Sequence, residues 1–236
     1  MATTKQILVA GVWFLVCAGF FVESRSASLP APLPSLPVAG ATCGGKQGRI
    51  PRAASVYRAE LVRSARAVWG LDAPIAVFAA QVHTESWWRN DTVSQAGAQG
   101  LAQFLPATAN WLPQVAPALT RVAGRPAPFN PGWSLRALVT YDLWLHERVQ
   151  GVNPCERMAF ALSAYNGGLG WVKRDKRLAV QEGLCADRWF GHTATVNAGR
   201  KASNFRENRN YVRLILQERQ TWYCLAGWGQ GVHCDE

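Results

Sequence analysis

The chain has 236 residues, 49% of them hydrophobic, and carries 25 Lys and Arg against 15 Asp and Glu, a net charge of +10. Such a basic balance favours an acidic partner, but no metal-binding finger, recognition helix or aromatic sheet signature accompanies it, so nucleic acid is not the expected partner. Six cysteines without a C-x-x-C pair or a paired His spacing give no sign of a metal site.

At the N-terminus, Lys5 precedes an uncharged, largely apolar run over 7–22, which Glu23 and Arg25 close. That run is short of the ~20 residues a membrane span needs and suits a signal-peptide core. Ser24, Ser26, Ala27 and Ser28 offer cleavage positions near the end of a 1–28 signal segment, and an uncleaved inner-membrane signal anchor is the alternative. Val16 is too large for a lipoprotein signal at Cys17. On either reading the chain leaves the cytoplasm. Residues 29–52, with Pro30, Pro32, Pro34 and Pro37 followed by glycines around Cys43, read as an extended linker.

Residues 53–236 are expected to form one all-α domain, since no run of period-two alternation appears. The first helix spans 55–69, with Tyr57, Leu61, Ala65 and Val68 on one face and Gly70 as its stop. Asp72 is the expected N-cap of the next, with Pro74 in its first turn. A short helix over 106–112 and a Pro-rich loop over 113–133 follow. Ser134 is read as the N-cap of a helix reaching Val149, and Asn153-Pro154 opens another that ends at 166–168. The pattern fails over 171–203, where a long loop or short helices are expected. The last helix starts near Asn204, with Glu207 as a capping-box partner and Tyr211, Leu214, Ile215 and Trp222 on one face. In an oxidising compartment disulfides are expected, with Cys224–Cys234 and Cys155–Cys185 as the pairings proposed from the sequence.

The second helix ends in the stretch with the most chemistry, ESWWRNDTVSQAGAQGLAQFLPAT over 85–108. Ile75, Phe78 and Val82 form a stripe whose next position is Glu85, an acid where an apolar residue belongs. Desolvation there disfavours the charged carboxylate and raises its pKa, so the group can hold a proton near neutrality and donate it. The bland alternative is a surface Glu85 paired with Arg89 four residues on. Beyond it, Ser94, Gly97, Gly100 and Gln103 combine close backbone approach with uncharged hydrogen bonding, as a sugar requires. Trp87 or Trp88 would add a stacking face.

In this register Glu85-Ser86, Ser94, Gly97-Ala98, Gly100-Leu101, Gln103, Pro106 and Thr108 resemble the soluble lytic transglycosylase domain, a family related in fold to goose-type lysozyme. Ala102 departs from the family's usual Met. The resemblance continues through Tyr165-Asn166 and through NYVRLIL, whose Tyr211 corresponds to a tyrosine facing the catalytic acid. It implies a lysozyme-like helical domain with a substrate groove, Glu85 as acid and then base, and Ser94, Gln103, Tyr165, Asn166 and Tyr211 as substrate-binding residues. No cofactor or metal is implied. The implied substrate is the peptidoglycan glycan strand, cut between N-acetylmuramic acid and N-acetylglucosamine with a 1,6-anhydro product, without the second carboxylate that hydrolases use. Asp91 is nearby in sequence, but nothing positions it for that role. A hydrolytic muramidase and a non-catalytic wall-binding component of a secretion apparatus are the alternatives. The implied location is the periplasm or its inner-membrane face, a setting that also suits secretion or conjugation machinery.

Overall fold

The computed structural model describes residues 46–234, so the 7–22 run and most of the Pro-rich segment lie outside the described residues. Within them the architecture is helical. Beta pairing among the described residues is confined to isolated bridges of Gln99 with Val93 and with Phe104. No described helix is long and apolar enough to cross a membrane.

Helix α1 (Ala54–Trp69) ends at Gly70, whose φ of 82° suits a residue without a Cβ. Helix α2 (Ile75–Ser86) is buried on nearly all sides, as expected of a helix at the centre of a core. Its N-terminus is not capped by Asp72. Pro74 precedes it, and the C-terminal tail supplies the missing acceptor, with the Ala76 N–H donating to the Gln230 carbonyl at 3.0 Å. Around α2 pack α1 and the C-terminal helical segments.

Helix α3 (Pro106–Val115) is followed by α4 (Pro117–Ala123), which seats Leu119 inside what the sequence presents as a Pro-rich loop. Each of these helices starts on a proline, where a missing N–H costs nothing. Helix α5 (Pro131–His146) is capped by Asn130, which accepts from the Trp133 N–H at 3.0 Å, and not by Ser134. Ser134 is buried instead and accepts from the Ala102 N–H. Helix α6 (Pro154–Gly167) opens on Asn153, as its sequence implies, and packs against α5, α7 and α8.

The region from Trp171 holds a full helix, α7 (Leu169–Gln181). Its buried stripe is Val172, Asp175 and Ala179, and a charge in the middle of a stripe defeats a search for apolar period. Asp175 is fully buried because two guanidinium groups meet it, Arg200 at 3.0 Å and Arg209 at 2.9 Å.

Helix α8 (Ala202–Arg213) runs without interruption through a π-helical stretch (Leu214–Arg219) into α9 (Gln220–Leu225). Lys201 occupies its N-cap with no side-chain cap bond, so the capping box at Glu207 does not form. The wider π turn advances the phase by one residue. Consequently Tyr223, not Trp222, is fully buried, and its hydroxyl accepts from Trp88 Nε1 at 2.6 Å.

The expected cysteine pairings are replaced. Cys155 bonds Cys234 across 79 residues, with a Cα–Cα distance of 5.1 Å. The reason lies in the tail: Gln220 binds the Val232 backbone in both directions, turning the chain back over α9 and carrying Cys234 to the start of α6. Cys224 is also disulfide-bonded, and Cys185 is free and exposed. Because the Cys155–Cys234 bond closes a long loop, the double substitution Cys155→Ala/Cys234→Ala should lower stability by about 2–4 kcal/mol in urea unfolding. A change below about 0.5 kcal/mol would show that hydrogen bonds and packing hold the tail without this disulfide.

Candidate active site

Two successive left-handed residues end α2, Trp87 at φ 55° and Trp88 at φ 62°. Such a conformation is costly for bulky side chains and persists only where surroundings fix it. Trp88 is 1% exposed among Tyr57, Tyr223 and Trp228. Trp87 lies against His83 and under the Arg219 guanidinium. Neither tryptophan lines the cleft described below, so the expected stacking role is not supported; both serve to turn the chain.

That turn sends residues 92–104 back across the end of α2. Ser94 shapes the loop, its Oγ accepting from the Ala98 N–H at 3.0 Å. Gln103, at φ 49°, donates through Nε2 to the carbonyls of Thr92 and Gly100 at 3.1 and 2.9 Å. Gly100 admits no side chain, since a Cβ there would run into the Pro128 carbonyl. The loop is therefore locked by the polar residues and glycines that the sequence singles out.

Loop, α2, α6 and α8 together enclose a cleft of about 440 Å³. Glu85, Ser94, Gln103, Tyr165, Asn166 and Tyr211 all line it, so the six residues expected at the site converge. Thr84, Tyr141, Glu207, Asn210 and Leu214 line it as well. Glu207 and Leu214 stand four and three residues from Tyr211 on one face of the α8 rod, a spacing that could have found them from the sequence, and Asn210 is the immediate neighbour of Tyr211. Tyr141 had no such signal. Asp91 and Arg89 are not among the lining residues.

Glu85 pairs with Tyr211 and not with Arg89. The Tyr211 hydroxyl donates to Glu85 Oε1 at 2.6 Å, while Arg89 Nε donates to the Ser86 carbonyl. Burial pushes the Glu85 carboxyl up to about 8; the Tyr211 hydrogen bond offsets part of that rise, and the charge of Glu207 adds to it. Behind the cleft, fully buried Asp142 is also held well above the ordinary carboxylate range by desolvation, despite a hydrogen bond from Gln81. Tyr165 donates to the Ala102 carbonyl at 2.8 Å, and Asn166 Oδ1 accepts from Asn208 at 2.9 Å. A protonated carboxyl in a cleft whose polar lining, Glu207 apart, is hydroxyl and amide can give a proton to a leaving oxygen and later recover one.

The Transglycosylase SLT domain family model matches residues 60–183. The chain belongs to this family. Among its relatives, the membrane-bound lytic murein transglycosylase F of Marinobacter nauticus is 28% identical over 145 residues, 61% of this chain and 25% of that protein. The protein of the same name from Maricaulis maris is 35% identical over 114 residues, 48% of this chain and 23% of that one. The chain thus spans about a quarter of the length of the curated relatives it matches. Among solved structures, the 70 kDa soluble lytic transglycosylase SLT70 from Escherichia coli gives a TM-score of 0.50 at 22% identity, covering 72% of this chain and 24% of that one. A complex of the 70 kDa soluble lytic transglycosylase with bulgecin A gives 0.52 at 22% identity, covering 76% and 26%. These likenesses establish the lysozyme-like helical fold of the SLT domain. Tyr211 lies beyond the part that the family model matches, yet the fold returns it to Glu85.

The raised Glu85 value has a consequence for stability. Between about pH 4.5 and 8 the unfolded chain has ionised Glu85 and the folded SLT domain has not, so stability declines as pH rises through this window and levels off above it. Glu85→Gln removes that titration. Urea unfolding should find the variant gaining on wild type steadily across the window and by a constant amount beyond it. A difference independent of pH would mark Glu85 as an ordinary carboxylate.

Proposed function

We propose that the chain is a peptidoglycan lytic transglycosylase, cleaving the β-1,4 bond between N-acetylmuramic acid and N-acetylglucosamine. The observation that carries this reading is a half-buried Glu85 whose carboxyl titrates near 8, bonded to Tyr211 inside the SLT-domain cleft. In the first step, protonated Glu85 donates to the glycosidic oxygen as the bond to the muramoyl anomeric carbon breaks. The carboxylate so formed takes the proton of the muramoyl 6-hydroxyl, whose oxygen closes on that carbon to give the 1,6-anhydro end. Glu85 is then protonated again, and no water is consumed. In this scheme Ser94, Gln103, Tyr165 and Asn166 orient the sugar, and Tyr211 steadies the carboxylate form that exists between the two proton transfers.

Residues 1–28 serve as the export segment in this account, 29–52 as the spacer and 53–236 as the catalytic domain, which places the cleft on the periplasmic side, next to its substrate. The curated relatives are themselves named as membrane-bound murein transglycosylases.

One observation favours a second reading. Glu207 is another carboxylate in the cleft, and a second carboxylate that activates water is what a hydrolytic muramidase needs. Product ends decide between the two. Digestion of purified peptidoglycan should yield 1,6-anhydromuramoyl ends by mass spectrometry, and reducing muramic ends would favour the hydrolase. In either case Glu85→Gln should reduce the rate by at least about 10² to 10⁴. Wild-type activity should fall as pH rises through about 8, where the acid form is lost.

A further inference from the structure

Two aspartates are fully buried among the described residues, and their surroundings differ in kind. Asp175 meets two guanidinium groups and accepts from the Ala198 N–H at 3.1 Å. Asp142, on α5, forms no ion pair among the described residues. Its partner is a neutral amide: Gln81 Nε2, on α2, donates to Asp142 Oδ1 at 3.2 Å. A buried carboxylate with one amide donor and no cation is far more costly than the neutral acid.

The bonds this pair leaves unmade point to the place of a proton. Gln81 Oε1 and Asp142 Oδ2 are both buried, and neither has a hydrogen-bond partner among the described residues. They are the remaining oxygens of an amide and a carboxyl that already share one bond. As two bare acceptors they leave each other unsatisfied, whereas a hydrogen on Oδ2 makes the acid a donor to the amide oxygen. The two groups then close a ring of two hydrogen bonds with no charge and no unmet oxygen. The ionisable groups that interact with Asp142 are Glu85, Tyr141, Tyr165 and Tyr211, acids all. Burial raises its carboxyl well above the ordinary range, the Gln81 bond offsets part of that rise, and the Glu85 charge adds to it.

The pair also stands at a telling place. Gln81 lies one turn before Glu85 on the same face of α2, and Asp142 follows Tyr141, which lines the cleft. Among the described residues theirs is the side-chain hydrogen bond that joins α2 to α5. We propose that Asp142 carries a proton on Oδ2 and, closed in a two-bond ring with Gln81, is a positioning residue for Glu85, fixing the phase of α2 against the cleft wall without a negative charge behind the acid. The proposal rests on the reading of Glu85 as the proton donor. Glu85 passes through its anion between the two proton transfers, and a neutral Asp142 gives that anion no buried like charge to meet.

Three readouts on the full chain test it. With carboxyl-labelled aspartate, and Asp142→Asn to assign the resonance, the Asp142 signal should remain that of a neutral acid from acid pH through neutrality. A midpoint near the ordinary aspartate value of about 3.9 would overturn the ring. The double substitution Gln81→Leu/Asp142→Leu removes both partners and leaves no polar atom of the pair unmet, so the melting temperature should hold. Its kcat on peptidoglycan should nonetheless fall at least about tenfold with KM unchanged, as a misplaced acid requires. A double variant that melts lower, fails to fold or keeps wild-type kcat would reduce the pair to a core contact and overturn the positioning role. Asp142→Asn, whose amide donates and accepts as the neutral acid does, should restore wild-type kcat and leave the fall in activity centred near pH 8. Failure to restore kcat, or a fall displaced to lower pH, would show that the anion had been present and overturn the proposal. Wild-type chain inert toward peptidoglycan would sink the substrate reading, and the labelled carboxyl would still decide this one.

Discussion

The hydrogen bond from the Tyr211 hydroxyl to Glu85 Oε1 joins residues 126 positions apart, and the surroundings of that bond set two opposing influences on one carboxyl. Burial favours the neutral acid, and the tyrosine favours the anion. Burial wins, which leaves the group protonated near neutrality, but the tyrosine keeps the anion accessible. A group required to lose and regain a proton benefits from both. Full burial without a donor would make the anion too costly, and a solvated carboxyl would give up its proton before meeting a substrate.

Holding that balance requires two helices to keep fixed phase. Helix α2 carries Glu85 on the stripe of Ile75, Phe78 and Val82, each of them almost completely buried. Helix α8 carries Tyr211, and the π-helical stretch that follows lets the same rod present groove residues before it and core residues after it. Without the additional residue in that turn, Trp222 would take the place of Tyr223. The hydroxyl that accepts from Trp88 and contacts His83 Nδ1 at 3.1 Å would then be missing. The left-handed turn at Trp87 and Trp88, which directs the 92–104 loop over Glu85, depends on that anchor.

Much of this was legible in the sequence, and the parts that were not share physical causes. The acid on an apolar stripe, the glycine-containing loop and the Asn153 cap are local patterns, and each stands where its pattern implies. The roles inside the loop were less legible: Ser94 and Gln103 line the cleft, but their hydrogen bonds also hold the loop's own backbone. Helix α7 was hidden because its buried stripe contains Asp175, and two arginines and the Ala198 N–H, all from distant positions, make that burial tolerable. The disulfide partner of Cys155 depends on a tail folding back through Gln220, a contact with no local signature. The phase shift at Leu214–Arg219 is likewise invisible to a period of 3.6. Tertiary compensation of charge, chain reversal and helix phase are what a single sequence conceals.

The central claim is that the Glu85 carboxyl stays protonated at neutral pH in the folded chain. It can be read directly from the chemical shift of a carboxyl-labelled glutamate, with Glu85→Gln used to assign the resonance, followed from acid to alkaline pH. The account predicts a single titration centred near 8. A midpoint near the ordinary glutamate value of about 4.3 would contradict it, whatever the products of the reaction prove to be.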